Sequence, residues 1–231
     1  TKILDRANHQ GRNALSEVEA KSLFKALGLT VPRGGLARSA TEARSLATTI
    51  GRPVALKASS PDLLHKTEAG VIRLGLKSPD DVESAFEEIV AQAKKWNPQA
   101  RLDGGMGEEM IGGDTREVIV GARRVLRFGP VVTFGLGGVF VETIRDFSVL
   151  PAPLTLDEAR EMIRNIRGYR ILTAFRGRPA ADLEALAQVL CHVGQFTYTW
   201  QERIAELEIN PLFILPEGSG VVVGDALAVL R

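Results

Sequence analysis

The sequence has 231 residues, 45% of them hydrophobic, and its 29 basic and 28 acidic residues give a net charge of +1. This length allows a substantial core in one large domain or two smaller ones, and the balanced charge does not favour binding to nucleic acid or to a membrane surface. No apolar run approaches the roughly 20 residues of a membrane-spanning helix, and the N-terminus has no signal-peptide pattern. Cys191 is the only cysteine, which excludes an internal disulfide and leads us to expect a cytoplasmic protein.

The first half of the chain predicts three helices and two strands. Residues 1–14 are polar, so we expect an irregular lead-in, and the start at Thr1 leads us to expect a fragment or one domain of a longer polypeptide. Ser16 and Glu19 form a capping box, and Ser78 is the N-cap of a later helix. The expected elements are helices over 15–27, 41–50 and 78–96, and strands over 54–58 and 71–76.

The second half, which begins near Gly104, predicts short strands, two helices and a closing hairpin. Thr155 and Glu158 form another capping box. From spacing alone, the glycine turn at 112–113 makes the segment 108–121 a plain hairpin. Strands are expected over 108–111, 117–122, 130–134 and 139–143, and helices over 155–168 and 179–200. Because strands and helices do not alternate strictly, the pattern indicates a mixed α/β fold of the α+β class.

The closing hairpin brings oxygen ligands together. If Leu215 pairs with Gly220 across its turn, Asn210 lies opposite Asp225 at about 5 Å. Two acidic residues share the strand face of Asn210, because the side-chain period of a strand is two: Glu206 and Glu208. Such a cluster of hard oxygens suits Mg²⁺ and predicts a Mg-nucleotide site. The alternative is an edge hairpin with a solvated acidic face, and the hairpin alone does not decide between them.

Lys57 and the segment around His65 are candidate phosphate contacts. Lys57 lies near the end of an apolar strand, where its compact ammonium group either reaches water or contacts a phosphate oxygen. His65 lies in the following loop. It is either a surface residue or a nucleophile that carries a phosphoryl group near neutral pH, with Lys66 helping to neutralise that group.

Two further segments are candidate nucleotide contacts. Three glycines in one segment lack the side chains that would keep backbone N–H groups away from an anion: Gly135, Gly137 and Gly138. A tight β-turn explains these glycines equally well. The backbone around Glu109–Ile111 is a natural place for a purine to form hydrogen bonds, with a nearby carboxylate to hold ribose hydroxyls.

Taken in order, these motifs resemble the ATP-grasp (beta) domain of NDP-forming acyl-CoA synthetases. That group includes ADP-forming acetyl-CoA synthetase and, more distantly, the succinyl-CoA synthetase beta subunit. The resemblance is collinear over nearly the whole chain, and the motifs are specific as a set although each is weak alone. The matching stretches are 15–17, 51–57, 60–67, 117–121, 128–132, 134–138, 152–154, 176–179 and 206–212.

The resemblance implies a two-lobed ATP-grasp fold, with a lead-in over 1–14, lobes over 15–108 and 109–231, and ATP or ADP in the cleft between the lobes. It implies that Asn210 and Asp225 bind Mg²⁺, with Glu208 as a third ligand. The residues expected to contact the nucleotide are Lys57, Glu109, Met110, Ile111, Glu117, Gly135, Gly137 and Gly138. The residues expected to serve catalysis are His65, Lys66 and Glu208.

The implied reaction converts acyl-CoA, ADP (or GDP) and phosphate to an acid, CoA and the nucleoside triphosphate through acyl phosphate and phosphohistidine. A mobile loop would carry His65 between sites. The expected partner is a CoA-binding (alpha-type) domain or subunit, with a small carboxylic acid or acyl phosphate as substrate and an oligomer as the complete enzyme. Neither the acid nor the choice between ADP and GDP follows from the sequence.

The sequence departs from the family pattern where a glycine, an aspartate and an arginine are usual. The departures are Val71 after Gly70, Glu68 in the His-Lys motif, Val125–Leu126, and Leu150. Loss of charged groups near the nucleotide would weaken catalysis. The main alternative is therefore a degenerate ATP-grasp module with a scaffold or sensor role in a larger acyl-CoA synthetase or acyltransferase fusion. A third hypothesis, a carboxylate–amine ligase acting alone, would require an additional N-terminal domain.

Overall fold

The computed structural model describes residues 2–60, 62–63, 66, 68–138, 146–174 and 177–231. The chain divides into two compact units, a larger one of Thr1–Val31 with Ile111–Arg231 and a smaller one of Pro32–Met110. Each unit has its own antiparallel sheet and hydrophobic core, and the predicted mixture of helices and strands is confirmed. No helix within the described ranges is long and apolar enough to cross a membrane.

The helices of the described ranges are α1 (Lys2–His9), α2 (Glu17–Ala26), α3 (Ala40–Ile50), α4 (Pro79–Trp96), α5 (Leu156–Arg164), α6 (Tyr169–Leu172) and α7 (Leu183–Thr199). The strands there are β1 (Gly34–Ala37), β2 (Val54–Ser59), β3 (Ile72–Leu76), β4 (Gly104–Glu109), β5 (Arg116–Val125), β6 (Gly129–Leu136), β7 (Phe147–Pro151), β8 (Ile204–Ile214), β9 (Val221–Val223) and β10 (Ala226–Leu230). Side-chain oxygens cap the first turns of α2, α3, α4, α5 and α7, which pairs amide donors that have no partner within the helix.

The smaller unit has a four-stranded sheet in the order β1-β4-β2-β3, with all pairs antiparallel. Helices α3 and α4 cover one face of this sheet, where Leu56 of β2 and Ile89 of α4 are fully buried in the same core. Side chains alternate between the two faces of a strand. Lys57 therefore points to the face opposite the helices.

The larger unit has a sheet in the order β10-β8-β5-β6-β7, with β9 also paired to β8. One face packs against α2, α5 and α7, and its fully buried side chains include Val120, Phe134 and Ile209. The alternate residues point to the other face, which we call the outer face. On β5 these residues are Glu117, Ile119, Gly121 and Arg123.

The structure corrects several predicted elements. Helix α1 occupies most of the lead-in that was expected to be irregular, because Leu4 and Ala7 are buried against the larger core. The segment 108–121 is not a hairpin, since β4 and β5 belong to different sheets. Helix α5 ends at Arg164, before the predicted end at 168, and α7 begins at Leu183, after the predicted start at 179.

Other expectations are confirmed or lie outside the described residues. The helices predicted over 15–27, 41–50 and 78–96 are present as α2, α3 and α4. Strands β1 and β7 are additional to the prediction, and the strand predicted over 139–143 lies outside the described residues. The two units differ from the predicted lobes, because residues 15–31 belong to the larger unit and the boundary falls after Met110.

Asp182 connects helix α7 to the β8–β9 turn, and its loss should destabilise the larger unit. Its Oδ1 accepts the N–H of Ala185 at 3.0 Å and its Oδ2 accepts the N–H of Gly220 at 2.8 Å. We expect Asp182→Ala to lower the free energy of unfolding by about 2 kcal/mol, because a helix cap and a buried hydrogen bond are both removed. Denaturant unfolding measures this change.

Glu217→Ala is the matched control, since Glu217 is exposed in the same turn. It should change the unfolding free energy by less than about 0.5 kcal/mol. Equal effects of the two substitutions would contradict the role assigned to Asp182.

Candidate functional site

The register of the larger sheet places several of the predicted ligands side by side on its outer face. Gly121 of β5 pairs with Glu208 of β8, and two residues earlier Ile119 pairs with Gly135 of β6. On its other side, Ile119 faces the irregularity in β8 where Asn210 lies. Residues two apart on a strand share a face, so Glu208 and Asn210 are neighbours on the outer face.

Asn210 lies opposite Asp225, as the sequence predicts. Ile209 pairs with Ala226 on one side of this position, and Leu212 pairs with Val223 on the other. Between them, the backbone N–H of Asn210 donates to the carbonyl oxygen of Asp225 at 3.2 Å. The predicted turn is also present, since the N–H of Leu215 donates to the carbonyl oxygen of Gly220 at 3.0 Å. The hairpin register is therefore confirmed.

The side chains at this position are hydrogen-bonded to one another and to the backbone. Asn210 donates from Nδ2 to Oε1 of Glu208 at 3.2 Å. Oδ1 of Asp225 accepts the N–H of Ala226 at 2.8 Å. Because the Asn210 nitrogen is turned to Glu208, its amide oxygen points in another direction, an assignment that follows from the hydrogen-bond network.

The acidic cluster is smaller than the sequence predicts. Glu206 is four residues from Asn210, and the rise of a strand separates their Cα atoms by about 13 Å. Across the ranges that the structure describes, no three His, Cys, Asp or Glu side chains converge to hold a metal. The expected convergence of three acidic groups is therefore wrong, and the candidate site reduces to Asn210, Asp225 and Glu208.

These three residues fit Mg²⁺ by the chemistry of their donors. Mg²⁺ prefers oxygen ligands, and it is usually held by one or two carboxylates together with waters and substrate phosphates rather than by an all-protein cage. An amide oxygen and two carboxylates on adjacent positions of one sheet face supply such a set. They leave the remaining ligand positions to water and phosphate.

The predicted glycines serve the packing of the sheet. A Cβ on Gly135 would collide with the ring of Phe147, and a Cβ on Gly137 would lie 2.9 Å from the backbone carbon of Glu117. The N–H of Gly137 donates to the carbonyl oxygen of Glu117 at 2.8 Å, so a phosphate at Gly137 would have to displace this bond. The carboxylate of Glu117 lies beside Gly138, where a Cβ would be 3.1 Å from Oε2.

Lys57 is a buried cation with an acidic neighbour on the smaller sheet. Its Nζ lies 3.7 Å from Oε2 of Glu108, and the two residues are 8% and 3% exposed. A buried charge needs a partner of opposite sign. Glu108 supplies one, and the 3.7 Å separation is longer than a direct hydrogen bond.

Glu109 is held by Arg33 in the smaller unit. Arg33 donates from Nε and Nη2 to Oε2 of Glu109 at 3.0 and 2.8 Å, and from its backbone N–H to Oε1 at 3.2 Å. The side-chain hydrogen bond from Arg33, more than the guanidinium charge, lowers the pKa of Glu109. The backbone N–H of Met110 donates to the carbonyl oxygen of Pro53 at 2.8 Å, and Ile111 begins the second segment of the larger unit.

The His-Lys motif is described only in part. His65 lies outside the described residues. The carbonyl oxygen of Lys66 accepts the N–H of Val71 at 3.1 Å, and the carbonyl oxygen of Val71 accepts the N–H of Ala58 in β2. The side chain of Val71 is fully buried in the smaller core, so this departure from the family pattern improves core packing.

The departures at Val125, Leu126 and Leu150 lie away from the candidate metal ligands. Val125 is the last residue of β5, and Leu126, which is 99% exposed, begins the turn between β5 and β6. This turn is nine residues along the strand from Glu117, about 30 Å at the rise of a β-strand. Leu150 packs against the core on the helix-covered side of the sheet. These substitutions therefore remove no group from the position of Asn210 and Asp225.

Two residues that the sequence did not mark have specific roles near the predicted ligands. Arg33 holds Glu109 from 76 positions away, which gives no local signal. Lys21 of α2 is 3% exposed and donates from Nζ to the carbonyl oxygen of Gly224 at 2.9 Å. The burial of Lys21 could have been predicted from the sequence. Glu17 and Lys21 are spaced to lie on the same helix face as Phe24, because residues at i, i+4 and i+7 share one face.

Comparison with known proteins identifies the family of this chain. The model of the ATP-grasp domain family matches residues 6–230. The chain is 40% identical over 230 residues to the acetate–CoA ligase [ADP-forming] II subunit beta of Pyrococcus furiosus, covering 100% of this chain and 97% of that protein. It is 39% identical over 204 residues to the acetate–CoA ligase [ADP-forming] I of Archaeoglobus fulgidus, covering 88% of this chain and 29% of that longer protein.

A solved structure shows the same fold. The dinucleotide forming acetyl-coenzyme A synthetase 1 of Ca. Korarchaeum cryptofilum aligns with a TM-score of 0.94 and 38% identity, over 100% of this chain and 99% of that one. The family resemblance in the sequence and the expected fold are confirmed. The chain belongs to the ATP-grasp domain family and is similar over its whole length to a beta subunit of the ADP-forming acetate–CoA ligases.

Proposed function

We propose that this chain is the nucleotide-binding and phosphoryl-transferring part of an ADP-forming acyl-CoA synthetase. With a CoA-binding domain or subunit, it would convert acyl-CoA, ADP and phosphate to the acid, CoA and ATP. The observation that carries the proposal is the pairing of Asn210 with Asp225, next to Glu208, on the outer face of the larger sheet. This arrangement occurs in a chain that matches an ATP-grasp domain from residue 6 to residue 230.

Structures of one related enzyme support the same chemistry. One structure of the Ca. Korarchaeum cryptofilum synthetase contains coenzyme A and Mg-AMPPCP, with its phosphohistidine segment pointing towards the nucleotide binding site. Another contains coenzyme A, acetyl-coenzyme A and a phosphorylated phosphohistidine segment. For the present chain, these related structures support the proposal that ATP and ADP are the nucleotides, that Mg²⁺ is the metal, and that a CoA-binding partner is required.

In the proposed mechanism, the residues of the larger sheet position charge for phosphoryl transfer. Asn210 and Asp225 would hold Mg²⁺, with Glu208 as the third ligand and as the acceptor that orients the amide of Asn210. When bound, the ion neutralises negative charge on the phosphates. Glu117 and the glycines at 135, 137 and 138 form the neighbouring part of the outer face, and we assign them to contacts with the nucleotide.

Residues of the smaller unit supply the cations and the nucleophile. We assign Lys57 to contact with a phosphate oxygen, with Glu108 as its acidic neighbour at 3.7 Å. The imidazole of His65 carries the phosphoryl group. Transfer to ADP breaks the N–P bond as an oxygen of the β-phosphate of ADP forms the new O–P bond, which leaves neutral imidazole and ATP. Lys66 pairs with the oxygens of the moving phosphoryl group.

We assign the adenosine portion to the backbone at 109–111. The N–H of Met110 already donates to the carbonyl oxygen of Pro53. Hydrogen bonds to the adenine base would therefore involve the carbonyl oxygen of Met110 and the backbone groups of Ile111. A ribose contact at Glu109 would share its carboxylate with Arg33, and a carboxylate has lone pairs for about four hydrogen bonds. The three hydrogen bonds from Arg33 fix the direction of this carboxylate in advance.

A degenerate ATP-grasp module with a scaffold or sensor role is the second candidate function. Its basis is the loss of charged residues at Val125–Leu126 and Leu150. The positions of those residues, in a distant turn and on the core side of the sheet, weaken this candidate. The two candidates differ in whether the chain is phosphorylated.

Metal-dependent nucleotide binding tests the proposed site. We expect Mg²⁺ to tighten ADP binding to the purified protein, as measured by calorimetry with Mg²⁺ and with EDTA. Asp225→Asn should reduce this tightening by about tenfold or more, because it removes a charged oxygen ligand. Glu206→Gln is the matched control, because Glu206 is on the same strand face but outside the site, and it should bind as wild type does. Folded wild-type protein that binds no nucleotide with Mg²⁺ would refute the proposal.

Phosphoryl transfer to His65 tests the reaction. With the CoA-binding partner present, ATP labelled in the γ-phosphate should give an acid-labile phosphohistidine, and His65→Asn should abolish the label while ADP binding is retained. His192→Asn is the control, because His192 is an exposed histidine on α7, and it should label normally. Absence of label with a competent partner would support the degenerate module instead.

A further inference from the structure

A buried ion pair on helix α2 contacts the backbone of the proposed metal site. Nζ of Lys21 lies 2.9 Å from Oε1 of Glu17, and both side chains are 4% exposed. The same ammonium group donates to the carbonyl oxygen of Gly224 at 2.9 Å. Gly224 directly precedes Asp225, so this hydrogen bond connects the helix to the backbone beside the site.

Stability alone does not explain this pair. Removing two charges from water costs several kcal/mol for each ion, and an apolar pair of similar volume is often as stable or more stable. Glu17 and Lys21 occupy the stripe of α2 that also carries the buried residues Ala20 and Phe24, where apolar side chains would pack without this cost. A requirement for the lysine's hydrogen bond would account for its presence.

The backbone that Lys21 contacts is constrained from its other side as well. The N–H of Gly224 donates to the carbonyl oxygen of Pro211 at 2.8 Å. The N–H of Asn210 donates to the carbonyl oxygen of Asp225 at 3.2 Å. A Cβ on Gly224 would lie 2.5 Å from Cε2 of Phe213 and 2.8 Å from the Pro211 oxygen. Pro211 on the partner strand thus holds the N–H of Gly224, and Lys21 holds its carbonyl oxygen.

We propose that Lys21 is a positioning residue for the metal–nucleotide site. By holding the carbonyl of Gly224, it sets the direction in which Asp225 presents its carboxylate opposite Asn210. Glu17 is the carboxylate partner of Lys21 in this buried position, with Nζ 2.9 Å from Oε1. This inference rests on the proposed function, because it assumes that Asn210 and Asp225 bind Mg²⁺ with the nucleotide.

Three variants separate the positioning role from a contribution to folding. Lys21→Met removes the hydrogen bond to Gly224, Glu17→Gln removes the ion-pair charge and keeps Lys21, and the double variant removes both charges. Glu19→Gln is the matched control. Glu19 is on the same helix, in the capping box and paired with Arg12, but it is not among the contacts to Gly224.

Calorimetry measures ADP binding as a function of Mg²⁺ concentration, and thermal unfolding measures the transition temperature. Both measurements use the complete protein with its CoA-binding partner. Lys21→Met should raise the Mg²⁺ concentration at which the increase in ADP affinity is half-maximal by about tenfold to a hundredfold. This is the range typical of residues that orient a metal ligand. Its ADP affinity in EDTA should stay at the wild-type value. Glu17→Gln and Glu19→Gln should lower the transition temperature and leave the Mg²⁺ requirement unchanged.

The double variant keeps the proposal falsifiable if Lys21→Met alone folds poorly. Without either buried charge, its thermal transition should recover towards wild type, while its Mg²⁺ requirement should remain as high as that of Lys21→Met. Recovery of both properties would show that Lys21 has only a structural role and would overturn the inference. If wild-type ADP binding does not respond to Mg²⁺, the proposed function itself fails, which is a distinguishable result.

Discussion

The cross-strand pairing of β8 with its neighbours determines which chemistry the larger sheet presents. Leu207 and Ile209 are 1% and 0% exposed in the core, and they alternate with Glu208 and Asn210 on the outer face. A slip of one residue would exchange these sets, placing a carboxylate and an amide in the core. The burial of two apolar side chains thus secures the register, and the register in turn places Asn210 opposite Asp225.

In both units the helices and the functional candidates lie on opposite faces of the sheet. Helices cover one face and bury its apolar side chains, and the functional candidates lie on the opposite face: Lys57 with Glu108 in the smaller unit, and Glu208 with Asn210 in the larger one. In the smaller unit the buried charges of Lys57 and Glu108 lie close to each other, as the cost of desolvation requires. The glycines at 135 and 137 permit close packing of strand on strand, and the outer face is shaped by that packing as much as by its charged groups.

Local signals predicted much of this arrangement. The starts of α2, α4 and α5 follow from Ser16, Ser78 and Thr155, because a capping interaction spans only three residues. The closing hairpin register follows from its turn and its apolar runs. These features depend on interactions between residues that are near in the chain.

Features that depend on distant residues could not be derived in the same way. The segment 108–121 has the spacing of a hairpin, yet its two strands join different sheets, because β4 finds partners in β1 and β2. Glu109 pairs with Arg33 across 76 positions, and Lys21 reaches Gly224 across 203. The acidic cluster was overestimated for a simpler reason, since a shared strand face does not bring residues four apart within reach of one ion.

We propose that Asn210 and Asp225 hold the metal of a metal–nucleotide complex. Crystals of the complete protein grown with Mn²⁺ and ADP would test it most directly through the anomalous scattering of Mn²⁺. We expect a single strong peak within coordination distance of the Asn210 amide oxygen and the Asp225 carboxylate, about 2.2 Å for oxygen ligands of such an ion. Bound ADP with the Mn²⁺ peak at other residues, or with no peak beside Asn210 and Asp225, would contradict it.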